Sequence, residues 1–199
     1  MKDLLGHMPN KGFFTLKQCI YSPLAQKNEI NNFPGSDYSQ HHQDLSKDKI
    51  FTNMHKLFKY CVNPIYRRFN TIGLSSVYRN KKINELMGGV KHSQHIYGYA
   101  ADITSNHPNI KTSEIFNWCI SNLPLYHQLI WEYPERGSYG GTENFSWIHI
   151  SYIEGNNWKE NSVSSLDPKI HEFYKDSNTY TIGNFTHGIK EANQDLIEI

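Results

Sequence analysis

Ser93-Gln94-His95-Ile96-Tyr97-Gly98-Tyr99-Ala100-Ala101-Asp102 carries the residues best suited to chemistry in this chain. His95 and Asp102 stand seven residues apart, and Gly98 between them permits a tight turn. Ala100 and Ala101 leave room for backbone or metal beside Asp102. Further on, Trp147-Ile148-His149-Ile150-Ser151 reads as a strand with a histidine on a stiff mount. Two imidazoles and one carboxylate can hold zinc with a fourth position left for water. Zinc lowers the pKa of such a water toward about 7 and polarises a carbonyl, so an open position means hydrolytic chemistry. A lone histidine in a strand is more often a packed core residue, and the His95–Asp102 spacing alone selects little.

The elements that must position these side chains can be read from periodicity. Thr15-Leu16-Lys17-Gln18 is a capping box that opens a short helix, and Ser22-Pro23 reads as an interruption. Asn31 to Gly35 is a turn, and residues 36–47 are a polar loop. From Asp48 to about Asn63 apolar residues recur at helical spacing (Ile50, Met54, Leu57, Phe58, Cys61), and Pro64 should stop or kink the helix. Thr71 to Arg79 looks like a strand with Arg79 at its end. Lys81 to Met87 is one or two helical turns, broken by Gly88-Gly89. Tyr99–Thr104, His127–Glu132 and Ser146–Ile153 are further strands, Ser113–Leu123 is a helix, and Pro134–Asn144 is a Gly-rich hairpin or loop. The fold class is α+β, an antiparallel sheet with helices on one face. Residues 1–155 should form one domain, its lead-in segment being 1–47. Residues 156–199 form a polar C-terminal extension, with one short helix over 167–174 and a loosely attached tail.

Composition excludes several functions. The formal net charge of +1 gives no basic excess for nucleic-acid binding. Cys19, Cys61 and Cys119 are scattered and odd in number, which argues against a disulfide framework or a thiolate zinc site. Each should pack as a small apolar residue. No 18-residue apolar stretch exists to span a membrane, and Met1–Pro9 lacks the apolar run of a signal peptide. The 13 tyrosines suit a groove for a polar, extended substrate and equally a β-rich core.

Taken together, the motifs resemble those of the zinc D-Ala-D-Ala carboxypeptidases and their relatives, which include phage endolysin peptidases, murein endopeptidases and the hedgehog signalling domain. Ser93–Asp102 matches S-x-H-x-x-G-x-A-x-D, and Trp147–His149 matches W-x-H. Ser75–Arg79 resembles the S-G-Y-R strand end with Ser76-Val77 in place of Ser-Gly, Asn84–Val90 resembles N-x-x-x-G-G-V, and Gln128–Glu132 resembles Q-L-I-x-E. The resemblance covers roughly residues 13–153. It implies a hedgehog-like fold, one Zn2+ held by His95, Asp102 and His149, and substrate contacts from Arg79 and Ser93. It implies cleavage of a peptidoglycan stem peptide, as carboxypeptidase or endopeptidase, by a monomer. Many relatives keep a glutamate three residues before the last histidine ligand, where this chain has Ser146. The general base is then Glu132, at the end of its strand, or Glu143, in the Gly-rich loop, with Glu132 preferred because a strand end aims a carboxylate more reproducibly. A zinc-bearing binding module with little catalysis is the alternative, and a metal-free structural domain a third reading. The resemblance also leans toward a phage- or virus-encoded lytic enzyme, freed by lysis or carried on a particle.

Overall fold

The computed structural model describes residues 13–36, 46–134, 145–157, 159–165 and 181–184. Glu143 and the short helix expected over 167–174 lie outside them. Six α-helices and six strands follow one another along the described chain: α1 (Leu16–Cys19), α2 (Pro23–Lys27), α3 (Lys47–Leu57), α4 (Asn63–Phe69), β1 (Ile72–Ser76), α5 (Lys81–Leu86), β2 (Ala100–Ser105), α6 (Thr112–Asn122), β3 (Gln128–Glu132), β4 (Trp147–Ser151), β5 (Glu160–Ser165) and β6 (Thr181–Asn184).

The lead-in helices start where hydroxyl caps stand. The Thr15 hydroxyl accepts the Gln18 amide, and the Gln18 side chain accepts the Thr15 amide at 2.8 Å, the expected capping box. Ser22-Pro23 is a helix start and not an interruption: Ser22 caps α2 and Pro23 takes its first position, where a missing N–H costs nothing. Pro64 neither stops nor visibly ends its helix. The chain widens into a π-helical turn over Phe58–Val62, with the Asn63 amide bonded to the Phe58 carbonyl, and continues as α4. The wider turn absorbs the donor that Pro64 lacks and the clash its ring would make one turn back.

The strands form one sheet in the order β1-β2-β4-β3-β5-β6. The first four are antiparallel neighbours, as expected for the α+β class. β5 adds in parallel to β3, and β6 in parallel to β5. The polar stretch expected to be a mere extension and tail thus supplies two strands. Ladder pairing uses the backbone, so a sequence without apolar alternation gave no sign of it.

Alternation divides the sheet into two faces. Ala101, Ile103, Leu129, Trp131, Ile148 and Ile150 point into the core, against Ile50, Met54 and Leu57 of α3, Ile65 of α4 and Phe116 of α6. Each fully buried aliphatic side chain there contributes roughly 1.5–3 kcal/mol of transfer free energy. Cys19, Cys61 and Cys119 are free and buried in this layer, and burial raises all three thiols, so they pack as the expected small apolar residues. The other face carries Asp102 on β2, Glu132 on β3, and Trp147 and His149 on β4. No helix among the described residues is long and apolar enough to cross a membrane.

Candidate metal centre

Register brings the site together. Asp102 pairs directly with His149 across the β2–β4 ladder, and Glu132 pairs with Trp147 across β3–β4. Residues directly opposite in an antiparallel ladder share a face, so four side chains separated by up to 47 residues converge on one patch. A one-residue slip of β4 would turn His149 into the core and Ile148 out.

His95 arrives from the turn before β2. Gly98 makes that turn possible at φ +72°, and a Cβ there would meet the Ile50 carbonyl oxygen at 2.8 Å and Met54 Cγ at 2.9 Å. Position 98 therefore needs glycine both for its left-handed backbone and for the close approach of α3.

Ligand-bearing atoms of His95, Asp102 and His149 all lie within 4.8 Å of one another. His95 Nε2 is 3.3 Å from Asp102 Oδ1, and His149 Nδ1 is 3.1 Å from the same oxygen. Tetrahedral ligands at 2.0–2.2 Å from a zinc ion stand roughly 3.3–3.6 Å apart, and the two spacings to Asp102 lie close to that range. The outer ring nitrogens are spoken for. His95 Nδ1–H donates to the Val77 carbonyl at 2.7 Å, and His149 Nε2–H donates to Gln94 Oε1 at 2.9 Å. The inner nitrogens then present lone pairs toward a carboxylate oxygen. Three converging lone-pair donors repel each other, and a cation between them resolves the conflict. The Asp102 side chain is the most open of the three, 14% exposed against 3% for His95 and 6% for His149, so access is from its side.

The electrostatics suit metal ligation. His95 is pulled down to about 4, first by burial and then by the Arg79 charge, so it is neutral at physiological pH and available as a ligand. Burial raises the Asp102 carboxyl, but when the rings are protonated their charge and N–H hydrogen bonds outweigh it and hold the group far below the usual carboxylate range. Glu132 moves the other way. Burial raises it, the Asp102 charge raises it further, and Arg79 and a hydrogen bond with the Trp147 indole only partly oppose this. A carboxyl group shifted upward keeps its proton to higher pH than an ordinary carboxylate.

Arg79 lies three residues beyond the end of β1, not on the strand itself. A bulge between Leu74 and Ser76 takes up one extra residue in that strand, and the Ser75 hydroxyl donates to the Asp102 carbonyl. The Arg79 loop is braced by the lead-in segment. Buried Asn32 donates to the Ile20 and Tyr78 carbonyls, both at 2.9 Å, and accepts the Asn80 amide at 2.8 Å. The Arg79 amide itself bonds to the His95 carbonyl. Among the described residues Arg79 Nε is buried with no hydrogen-bond partner, a donor that a ligand could use. Ser93 is buried two residues before His95, its amide on the Val90 carbonyl and its carbonyl accepting the Ile96 amide. Ser146 is fully buried.

Three contributors went unrecognised in the sequence. Gln94 occupies a position that the S-x-H pattern leaves open, Asn32 sits in an ordinary turn segment, and the indole of Trp147 reaches Glu132. Only the third had a signal, since Trp147 belongs to the W-x-H motif.

No curated protein matches the chain. Residues 41–151, more than half its length, match the family of peptidase M15, whose members are zinc-dependent metallopeptidases. The match runs from ahead of α3 to the end of β4 and so takes in every candidate ligand. With a fold of the expected class and a buried His–Asp–His group able to hold a metal, the chain belongs to the peptidase M15 family.

Proposed function

We propose that this protein is a zinc-dependent peptidase that hydrolyses peptide bonds in the stem peptides of bacterial peptidoglycan, as a D,D-carboxypeptidase or an endopeptidase. His95, Asp102 and His149 hold one Zn2+, Glu132 is the general base, and Arg79 and Ser93 contact substrate. The observation that carries this is the convergence of three lone-pair donors within 4.8 Å on the sheet face that also carries Glu132.

A bound zinc ion would supply Lewis acidity, making water nucleophilic near neutral pH and polarising the scissile carbonyl. The chain's own groups do the rest. Glu132, buried at the end of β3, takes the proton of the attacking water and later gives it to the departing amine. Its raised pKa suits both halves of that exchange. The Trp147 N–H holds the carboxylate in place. Arg79, with Nε unpaired, binds a substrate carboxylate or carbonyl through a planar fork that suits either. Ser93 supports the substrate from the turn that carries His95. Residues 1–155 supply the whole of this machinery, and β5 and β6 add to the sheet beside it.

Mass spectrometry of muropeptide digests tests the proposal. New peptide termini should form with zinc and vanish with a chelator, and metal analysis should give about one zinc per chain. Purified protein that holds no metal would end the proposal. Zinc binding with no cleavage of any muropeptide would leave a binding module in its place.

A further inference from the structure

Beyond the three ligands, a buried pair of amides stands behind the site. Gln94 is fully buried and Gln128 is 1% exposed. Gln94 Oε1 accepts from His149 Nε2–H at 2.9 Å, and Gln94 Nε2 donates to Gln128 Oε1 at 2.8 Å. The Gln128 backbone N–H donates to the Ser151 hydroxyl at 3.0 Å, which fixes the main chain that carries this side chain. A line of hydrogen bonds therefore runs from the start of β3, through the turn before His95, to the outer nitrogen of the β4 histidine.

The two histidines are oriented by different devices. His95 uses a backbone carbonyl, Val77, which cannot rotate and can only accept. His149 uses a side-chain amide, which can present either its oxygen or its nitrogen. If the Gln94 amide turned over, its NH2 would face His149 Nε2 and stabilise the tautomer with hydrogen on Nδ1. That hydrogen would sit on the nitrogen that faces Asp102 and block it as a ligand. Gln128 Oε1 prevents this by holding the Gln94 NH2 on the far side.

We propose that Gln94 is a positioning residue, locked by Gln128, that fixes His149 in the tautomer whose Nδ1 is free for the metal. The assignment rests on the zinc reading above. It adds that metal affinity depends on two neutral amides that never touch the ion. Groups that orient metal-ligating histidines in this way are typically worth about 10–100-fold in metal affinity.

The test combines metal titration with a direct reading of the histidine ring. In the metal-free wild-type protein, 15N NMR of labelled histidine, with the His149 signals assigned by difference from His149→Ala, should show hydrogen on Nε2. Hydrogen on Nδ1 would overturn the proposal without any further variant. Competition with a chromophoric chelator should then give a zinc dissociation constant about 10–100-fold weaker for Gln94→Met than for wild type. Gln94→Glu keeps an acceptor facing His149 and should restore affinity. Gln128→Met frees the amide to turn, so its loss should be smaller and should come with a mixture of tautomers. Equal zinc affinity in wild type and in folded Gln94→Met, or in wild type and Gln128→Met if the first variant fails to fold, would overturn it. Wild-type protein that binds no zinc would instead defeat the underlying zinc reading, so the two failures are distinguishable.

Discussion

Asp102 and His149 face each other directly across the β2–β4 ladder, with Oδ1 and Nδ1 3.1 Å apart. The same oxygen lies 3.3 Å from His95, so one carboxylate atom is the hub of the group. The hub has a pH signature in the metal-free protein. His95 is lowered from 6.5 to about 4, so across that window the unfolded chain takes a proton that the folded chain refuses. Stability should therefore fall as pH drops from 6.5 toward 4, by on the order of 3 kcal/mol. Asp102 adds a loss at still lower pH, because its ordinary value of 3.8 is depressed by folding. Glu132, raised from 4.5, acts in the opposite sense, its ionisation costing stability as pH rises. Urea unfolding of apoprotein against pH checks this, and His95→Gln should flatten the slope between 6.5 and 4.

Glu132 should set the acid limb of activity. Glu132→Gln should keep zinc and lose at least about 100-fold in kcat on whichever muropeptide the wild type cleaves. The acid limb of kcat/KM for the wild type should lie above the usual carboxylate range, since burial and Asp102 both raise Glu132. Trp147→Phe removes a hydrogen bond that favours the ionised form, so it should move that limb to higher pH. A limb unmoved in Trp147→Phe would argue against Glu132 as the titrating base.

Gly98→Ala should damage folding and metal binding together. The added methyl group meets α3 backbone at 2.8 Å, and the +72° φ is strained for alanine. A destabilisation of about 1–3 kcal/mol is expected. Thermal unfolding and zinc titration of the same variant should show both losses, whereas Gly155→Ala, where a Cβ meets nothing within 4 Å, should leave zinc affinity intact.

Asn32→Ala strips partners from two carbonyls and one amide around Arg79. Each group left buried and unpaired costs roughly 1–3 kcal/mol, so a large loss of stability is expected. Any folded fraction should show a higher KM with zinc content unchanged, because Asn32 braces the Arg79 loop and touches no ligand.

Removing residues 156–199 should expose β3 as an edge. In the intact sheet β3 is flanked by β4 and by β5. Without β5 its backbone donors and acceptors lie open to other chains. Lower solubility and faster amide exchange in Leu129–Glu132 are expected, and a soluble, fully active truncation would show that β5 is dispensable.

Where local chemistry decided the structure, the sequence announced it. The Thr15 capping box, the α6 periodicity and the alternation of β2 and β4 all depend on neighbours within a few residues. The candidate ligands could be named because their spacing forms a motif, whereas the pairing of Asp102 with His149 is set by strand register. Pro64 does not stop the helix, because a π-helical turn over Phe58–Val62 precedes it and α-helix resumes at Asn63. Ser22-Pro23 was ambiguous, since the same pair ends one element or starts another. β5 and β6 escaped notice because backbone pairing leaves no trace in polar side chains. Gln94 and Asn32 could not be found at all: a buried amide is identical in sequence to an exposed one, and only the fold shows what it bonds.

The close seat of Gly98 on α3 would make an ion bound by the three side chains part of the architecture. Any cation that draws His95 toward Asp102 also holds the intervening turn against the Ile50 carbonyl, and so fastens the helix layer to the sheet. Occupancy and folding are then one linked equilibrium: at a free-metal level a hundredfold above Kd, binding adds about 2.7 kcal/mol to stability. If the group holds a metal, a chelator should thus loosen amides in α3, and scarcity of the ion would shorten the protein's lifetime.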